Sequence, residues 1–334
     1  MQLKMFCLCL DNELLKDVEN LNYLPLSSLP NHKMIHCREN GYTSIYQTDR
    51  YGFRNSNEEW DKNEIEFFLI GDEMTHGACV NDPDTISGNL KKLNDTKNGV
   101  LNLGYGENGP LFEYAALREY LQIKKVKRVL WFYYEGNDLV GLSNELKNKI
   151  LVNYLENKNF SQNIILRKKE IEKFLLKGIE NEKLTYENLR KEKFAGLIKF
   201  LKLYLVRETV LFSKPLLRKN IISITPALSK EFEKILKMSK ELVKENNSEL
   251  YFIYLPSYRR YIDNNNHDNL YSYKTVTKIV QNLDIPIIDI NKELFEKHED
   301  QLSLFPFRKL GHYNEKGYEL IAETVFNKIK ELEK

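Results

Sequence analysis

Four short polar blocks, at 71–77, 102–106, 135–138 and 311–314, carry side chains that could do chemistry. They contain glycines, asparagines, acidic residues and histidines, which are the residue types that hold an oxyanion or move a proton. An oxyanion that forms when an acyl group is attacked needs two or three preorganised N–H donors, each contributing roughly a few kcal/mol. The blocks are therefore the candidate functional residues of the chain, provided that the fold brings them to one place.

Apolar runs rich in Phe, Ile, Leu and Val precede three of the blocks and have the character of buried parallel strands. Strands are predicted at 65–70, 100–103, 129–134, 250–255 and 285–290. Helices are predicted between and after them, at 84–93, 111–121, 226–246, 273–281 and 315–332. This alternation predicts a three-layer α/β/α sandwich with a parallel sheet. Because ligands bind at the carboxyl ends of such strands, the polar blocks are where a site is expected.

Two segments stand apart from the alternation. Residues 1–62 mix short apolar runs with turn signals, which predicts a loop-rich lead-in packed on the main domain of residues 63–334. Residues from about 141 to 220 are rich in Lys, Glu and Asn with helical periodicity, which predicts a helical insertion. Within the insertion, 194–207 forms a basic amphipathic pattern. Such a helix packs on its own domain or lies weakly on a membrane surface, and the pattern leaves both open.

Composition excludes several classes of protein. The 50 Lys and Arg nearly balance the 48 Asp and Glu, and a net charge of +2 does not favour nucleic acid as a partner. No apolar run approaches the roughly 18 residues that span a bilayer, and residues 1–10 do not make a secretory leader, so we expect a cytoplasmic protein without a membrane span. The irregular spacing of Cys7, Cys9, Cys37 and Cys79 predicts free buried thiols and no disulfide framework.

In order and spacing the four blocks resemble the SGNH/GDSL hydrolase superfamily, over about 48–332. The resemblance implies a flavodoxin-like fold that acts on ester bonds, as an esterase or glycan O-deacetylase, with a small-molecule or glycan ester as substrate and no cofactor. It places the nucleophile at position 73. It gives the oxyanion donors as the backbone N–H of Gly104 and the side chain of Asn137, and the base as His312.

Two departures from the family pattern concern the reaction itself. Glu73 stands where the family has its nucleophilic Ser, and Lys309 stands where many members carry the Asp that orients the imidazole. A Ser–His mechanism therefore cannot run as in the family, and catalysis is expected to be impaired or altered. Three outcomes remain open: a hydroxyl from Thr75, water activated by Glu73 with His312 as the acid, or a non-catalytic protein that binds a carbohydrate or acyl group. Thr75 is disfavoured because two positions on a helix rotate a side chain by about 200°.

Further carboxylates follow the strands. Glu107 and Glu135 either join Glu73 in an acidic crevice or point to solvent, and the second interpretation is favoured. An acidic crevice would hold His312 cationic or bind a divalent metal among Glu73, His76 and His312. No metal is expected as the main interpretation.

Two loop predictions complete the sequence analysis. Asp72 is expected to anchor its own loop by accepting backbone N–H bonds. Arg259 and Arg260 follow a strand end, where they either contact an anionic part of the substrate or belong to a solvated loop, and the solvated loop is favoured.

Overall fold

The computed structural model describes residues 23–94, 97–191, 224–262, 272–309 and 311–334. Its strands are β1 Lys33–Ile35, β2 Ile45–Gln47, β3 Glu64–Ile70, β4 Gly99–Asn102, β5 Lys125–Tyr134, β6 Glu249–Leu255 and β7 Ile287–Asp289. Its α-helices are α1 Asn57–Asp61, α2 Glu73–His76, α3 Ile86–Leu93, α4 Pro110–Tyr120, α5 Asp138–Glu145, α6 Lys149–Glu156, α7 Lys168–Lys191, α8 Pro226–Glu245, α9 Tyr273–Asn282, α10 Ile290–Glu293 and α11 Glu315–Leu332.

Five parallel strands form the central sheet in the order β4-β3-β5-β6-β7. The chain adds β4 on one side of β3 and then returns to add β5 on the other side. The strand order therefore reverses at the neighbouring strands β3 and β5, and such a reversal opens a crevice at their carboxyl ends. The block at 71–77 follows β3 and the block at 135–138 follows β5, so both lie at this crevice.

Helices cover both faces of the sheet, because successive strand residues point to opposite sides. Phe68 and Ile70 belong to a core that also contains buried side chains of α4, α8 and α9. Phe67 and Leu69 belong to a second core with buried side chains of α3 and α11. The predicted three-layer α/β/α sandwich with a parallel sheet is confirmed.

The predicted elements agree closely with the observed ones, and the last helix has the predicted bounds. The strand expected at 285–290 is shorter, at Ile287–Asp289. It ends there because the Asp289 carboxylate accepts the backbone N–H of Lys292 at 3.3 Å and caps α10. The apolar run alone predicts a strand that continues to residue 290. Asp289 instead caps a helix that begins at Ile290.

The lead-in from residue 23 to 62 makes a β1–β2 antiparallel hairpin, α1 and several ordered turns. The buried carboxylate of Asp49 accepts hydrogen bonds from the backbone N–H groups of Tyr51 and Phe53 and from the side chains of Asn55 and Trp60. A buried carboxylate with four donors fixes the turn that it closes. The assignment of the lead-in to the same domain as the sheet stays a prediction.

A disulfide joins Cys37 in the lead-in to Cys79 behind α2. The prediction of free thiols was wrong for this pair. The two cysteines are 42 positions apart, and the fold brings their Cα atoms to 4.9 Å, which spacing in the sequence does not reveal. Cys7 and Cys9 lie outside the described residues.

The segment predicted as a helical insertion contains the end of α5, then α6 and α7. The basic amphipathic stretch at 194–207 lies outside the described residues, so its alternatives stay open. In the described part of the chain, every helix is too short or too polar to cross a membrane.

Candidate active site

Glu73 is the first residue of α2, directly after the loop that ends β3. The loop is held by Asp72, whose buried carboxylate accepts the backbone N–H of Met74 at 2.9 Å, the kind of anchoring contact expected from the sequence. This contact fixes the start of α2. The Glu73 side chain is half-buried at the carboxyl end of the sheet.

Two N–H donors from different loops converge on the Glu73 carboxylate. The Asn137 side-chain amide donates to Oε1 at 2.9 Å, and the Glu107 backbone N–H donates to Oε2 at 3.0 Å. Asn137 follows β5 and Glu107 follows β4, so the strand ends on both sides of β3 reach this one carboxylate. Two convergent donors are what an oxyanion site requires, and here the protein's own carboxylate receives both.

Gly104 does not supply the second donor to Glu73, and the oxyanion role that the family resemblance implies for it stays a prediction. Its backbone N–H donates to the Asn102 side-chain oxygen at 2.8 Å. Gly104 serves close packing instead: a Cβ there would stand 2.5 Å from the His76 backbone nitrogen. The second donor to Glu73 is the backbone N–H of Glu107, a residue in the left-handed region with a φ of 60°.

His312 is held by a carboxylate that the sequence analysis missed. Its Nδ1–H and its backbone N–H donate to the same Glu39 oxygen, at 2.9 and 2.8 Å. Gly311 allows this approach, because a Cβ on it would lie 2.6 Å from that oxygen. Donation from Nδ1 leaves Nε2 as the proton acceptor, the tautomer that a general base needs. Glu39 thus contacts the imidazole in this chain, whose position 309 lacks the acid of the family pattern.

The environment of Glu39 favours its charged form. Burial alone would raise the pKa of its carboxyl, but the hydrogen bonds and the positive charge offered by His312 outweigh burial and lower that pKa. No spacing signal points to Glu39, since it lies 273 positions before His312. The contacts of His312 lead to Glu39 and Cys79, and those of Glu73 lead to Asn137 and Glu107. A direct contact between the side chains of Glu73 and His312 stays a prediction.

Thr75 and His76 are both buried under the site. The Thr75 hydroxyl packs beneath Gly71, where it is shielded from a substrate. The His76 ring packs edge-on between His36 and Tyr46, with ring centres 5.0 and 4.9 Å away, and burial lowers the pKa of His76. Both side chains therefore support the packing of α2.

The metal site considered among Glu73, His76 and His312 is not formed. Among the described residues, one group of three His, Cys, Asp or Glu residues brings its ligand atoms within 4.8 Å of one another, and that group is Glu39, Cys79 and His312. Glu73 and His76 are not part of it, because they face Asn137 and the packed rings of the lead-in.

Glu135 is not at the solvent, so the favoured interpretation was wrong for this residue. Its carboxylate is buried, forms an ion pair with Arg260, and accepts the Tyr254 hydroxyl and the Ser257 backbone N–H at 2.7 Å each. A buried carboxylate needs such partners to offset its desolvation. Arg260 is accordingly not part of a solvated loop, so the favoured interpretation was wrong for this residue as well. Glu107 is exposed, as expected.

Further carboxyls lie fully buried behind the site, in Asp72, Glu113 and Asp138. Burial, followed by the charges of neighbouring carboxylates, raises the pKa of all three well above the ordinary range. Partly exposed Glu145 accepts the backbone N–H groups of Gly109 and Leu111 at the start of α4, and burial raises its pKa to about 7. The site thus sits on a layer of carboxyls that favour their neutral form.

No family model and no curated protein matches this chain. Solved structures do match it. A lipolytic protein of the G-D-S-L family from Desulfitobacterium hafniense DCB-2 is 12% identical over 79% of this chain and 97% of its own, with a TM-score of 0.42. The acetyl xylan esterase AlAXEase is 12% identical over 79% and 100%, with a TM-score of 0.45. A lipase/acylhydrolase from Enterococcus faecalis is 14% identical over 80% and 95%, with a TM-score of 0.42.

The first of these names contains the family that the four sequence blocks resemble. Identities and TM-scores at this level transfer no residue role. The site therefore rests on the contacts of Glu73, Asn137, Glu107, His312 and Glu39 in this chain.

Proposed function

We propose that this chain carries an ester-hydrolase type of site in which Glu73 occupies the oxyanion donors, so that acyl transfer is blocked. One observation carries the proposal: the Glu73 carboxylate accepts the N–H groups of both Asn137 and Glu107. The substrate class proposed for the unblocked site is a small-molecule or glycan ester, by the resemblance of the four blocks.

The block follows from charge and geometry. An oxyanion from an ester carbonyl needs the same two N–H groups, and a resident carboxylate has to leave before it can bind. A carboxylate left beside the new anion would also repel it, which raises the barrier further. With Glu73 in place of Ser, the chain therefore has no hydroxyl nucleophile at this position. The Glu73 carboxylate also lies where the negative oxygen of the transition state would bind.

The proposal is tested by hydrolysis of p-nitrophenyl acetate. We expect no turnover by the native chain and turnover by Glu73→Ser, because the substitution supplies a hydroxyl and frees both donors. The double variants Glu73→Ser/His312→Asn and Glu73→Ser/Asn137→Ala should each lose most of that activity, by roughly 10²-fold or more. Turnover by the native chain that equals that of Glu73→Ser would contradict the proposal.

A second candidate, hydrolysis by water with Glu73 as base and His312 as acid, is favoured by one observation. The Glu39–His312 pair is complete although the nucleophile is replaced. This candidate predicts turnover by the native chain that Glu73→Gln removes and Thr75→Ala leaves intact. If neither the native chain nor a folded Glu73→Ser variant turns over p-nitrophenyl acetate, the result would instead favour a non-catalytic protein that binds a carbohydrate or acyl group.

A further inference from the structure

Two side chains that can bind a metal, His312 and Glu39, lie close to the Cys37–Cys79 disulfide. The Cys79 sulfur lies 3.7 Å from Nδ1 of His312, and the same Nδ1 lies 2.9 Å from a Glu39 oxygen. Together these atoms form the ligand group found among the described residues. Sulfur, imidazole nitrogen and carboxylate oxygen are three donor types that zinc accepts in proteins.

We propose that reduction of the Cys37–Cys79 disulfide turns Cys79, His312 and Glu39 into a zinc-binding site. The proposal does not depend on the function proposed for Glu73, because it is argued only from the contacts of Cys79, His312 and Glu39.

The distances from Nδ1 of His312 to the other two atoms are close to those around a tetrahedral ion. Zinc bonds of about 2.0–2.3 Å place neighbouring ligand atoms roughly 3.3–3.6 Å apart. The observed 3.7 Å between sulfur and nitrogen is close to that value, and the 2.9 Å hydrogen bond has to open by a few tenths of an ångström. Small side-chain movements of Glu39, which is half-buried, supply that change.

The backbone already directs Cys79 toward His312. Cys79 is fully buried and has a φ of 66°, a conformation that non-glycine residues adopt rarely. Its backbone N–H also donates to the His36 ring at 3.4 Å. The Cys79 backbone is therefore held by a contact other than the disulfide, which favours the side chain staying close to His312 after reduction.

The redox step is an ordinary thiol–disulfide exchange. A dithiol reductant gives two electrons and two protons: the Cys37–Cys79 S–S bond breaks, both cysteines become thiols, and the reductant becomes a disulfide. Zinc then replaces the proton on the Cys79 thiol, while the proton on Nδ1 of His312 is lost to solvent and Nε2 takes one up. Cys37 or a water completes the fourth position. A disulfide sulfur is a poor ligand, so the oxidised protein lacks the site.

The test is titration with Co²⁺, whose bond to a thiolate gives a charge-transfer absorption, and with Zn²⁺ by calorimetry. Cys7→Ser/Cys9→Ser serves as the background, because the chain has four cysteines. We expect about one equivalent to bind the reduced protein and none to bind the oxidised one. Cys37→Ser should bind without reductant, since Cys79 then has no partner.

Two variants decide whether the named ligands hold the ion. In the reduced background, Cys79→Ser should abolish the cobalt absorption and Glu39→Gln should weaken zinc binding by roughly 10-fold or more. Equal binding by the oxidised and reduced forms would overturn the proposal. Binding by a folded Cys79→Ser variant as tight as that of the background would also overturn it. Circular dichroism of Cys37→Ser shows whether this variant is folded when it binds the metal ion.

Discussion

At the scale of single residues, Glu73 combines two changes that a sequence comparison reports as one substitution. It removes a hydroxyl, and its carboxylate accepts the N–H groups of Asn137 and Glu107. The second effect depends on side-chain length: the carboxylate of Glu extends two bonds further than a Ser hydroxyl and so reaches the donors around it. The sequence shows that residue 73 is Glu, but it does not show that the Glu73 carboxylate accepts hydrogen bonds from Asn137 and Glu107.

Glu39 is predicted to position His312 and not to touch the substrate. In the Glu73→Ser background, Glu39→Gln should lower kcat by roughly 10²-fold or more with little change in KM, because the imidazole loses its fixed tautomer. The pH profile of kcat should shift as well, since a neutral amide no longer stabilises the imidazolium. Kinetics across pH 5 to 9 measures both effects.

Lys309→Ala provides the matched control for Glu39→Gln. Lys309 occupies the position of the family's orienting acid and is exposed, so its loss should leave kcat and the pH profile unchanged. A kcat that falls for Lys309→Ala and stays constant for Glu39→Gln would show that the carboxylate holding His312 has been misassigned.

Glu145 is predicted to make stability depend on pH. Its pKa is about 7 in the folded chain against an ordinary 4.5, so the folded state favours the protonated form. The stabilisation is fully present below pH 4.5 and is lost as the pH rises through about 7. Because the side chain is partly exposed, we expect a change of about 1–3 kcal/mol.

The measurement is urea unfolding of the native chain and of Glu145→Gln at several pH values. The difference between the two free energies of unfolding isolates Glu145 from histidines such as His36, whose pKa is lowered to about 4 by burial and then by the nearby Arg54 and His312 charges. We expect the advantage of the native chain to shrink from pH 5 to pH 8. A difference that is constant or grows over that range would refute the assignment.

At the scale of elements, the apolar runs determine the sheet, and the turns behind it determine the site. Strand β3 was predictable because Phe67, Phe68 and Leu69 form an unbroken buried run. The contact of Glu39 with His312 and the pairing of Glu135 with Arg260 were not predictable, because they join segments 273 and 125 positions apart. The periodicity of apolar residues predicts which face of one strand or helix is buried. It does not predict which loops contact one another.

Arg54 is predicted to fix the loop between α2 and α3 to the lead-in. Its side chain is 2% exposed, and the guanidinium donates to the carbonyls of Gly77 and Val80 at 2.6 and 2.7 Å and pairs with Asp82 at 2.7 Å. A lysine cannot satisfy this forked arrangement, so Arg54→Lys should lower the free energy of unfolding by about 2–4 kcal/mol.

Urea unfolding measures this loss, with Arg308→Lys as the control. Arg308 pairs with Asp300 at the surface, where its side chain is 58% exposed, and its replacement should cost less than about 1 kcal/mol. Equal losses for the two variants would mean that the buried contacts of Arg54 add nothing beyond an exposed ion pair.

At the scale of the whole molecule, the order of the strands explains why distant residues share one site. The strand order reverses at β3 and β5, so the ends of β3, β4 and β5 bring Glu73, Glu107 and Asn137 together. The lead-in adds Glu39 from outside the sheet, tied down by the Cys37–Cys79 disulfide. The fold class followed from alternation, whereas the contribution of the lead-in depends on tertiary contacts alone.

The central claim is that replacing Glu73 frees a site that is otherwise complete. The most direct measurement is the mass of each protein after treatment with a fluorophosphonate, which phosphonylates an activated hydroxyl and places its anionic oxygen at the oxyanion donors. We expect one phosphonyl group on Glu73→Ser, attached at position 73, and none on the native chain or on Glu73→Ser/His312→Asn. Labelling of the native chain, or a folded Glu73→Ser variant that stays unlabelled, would contradict the claim.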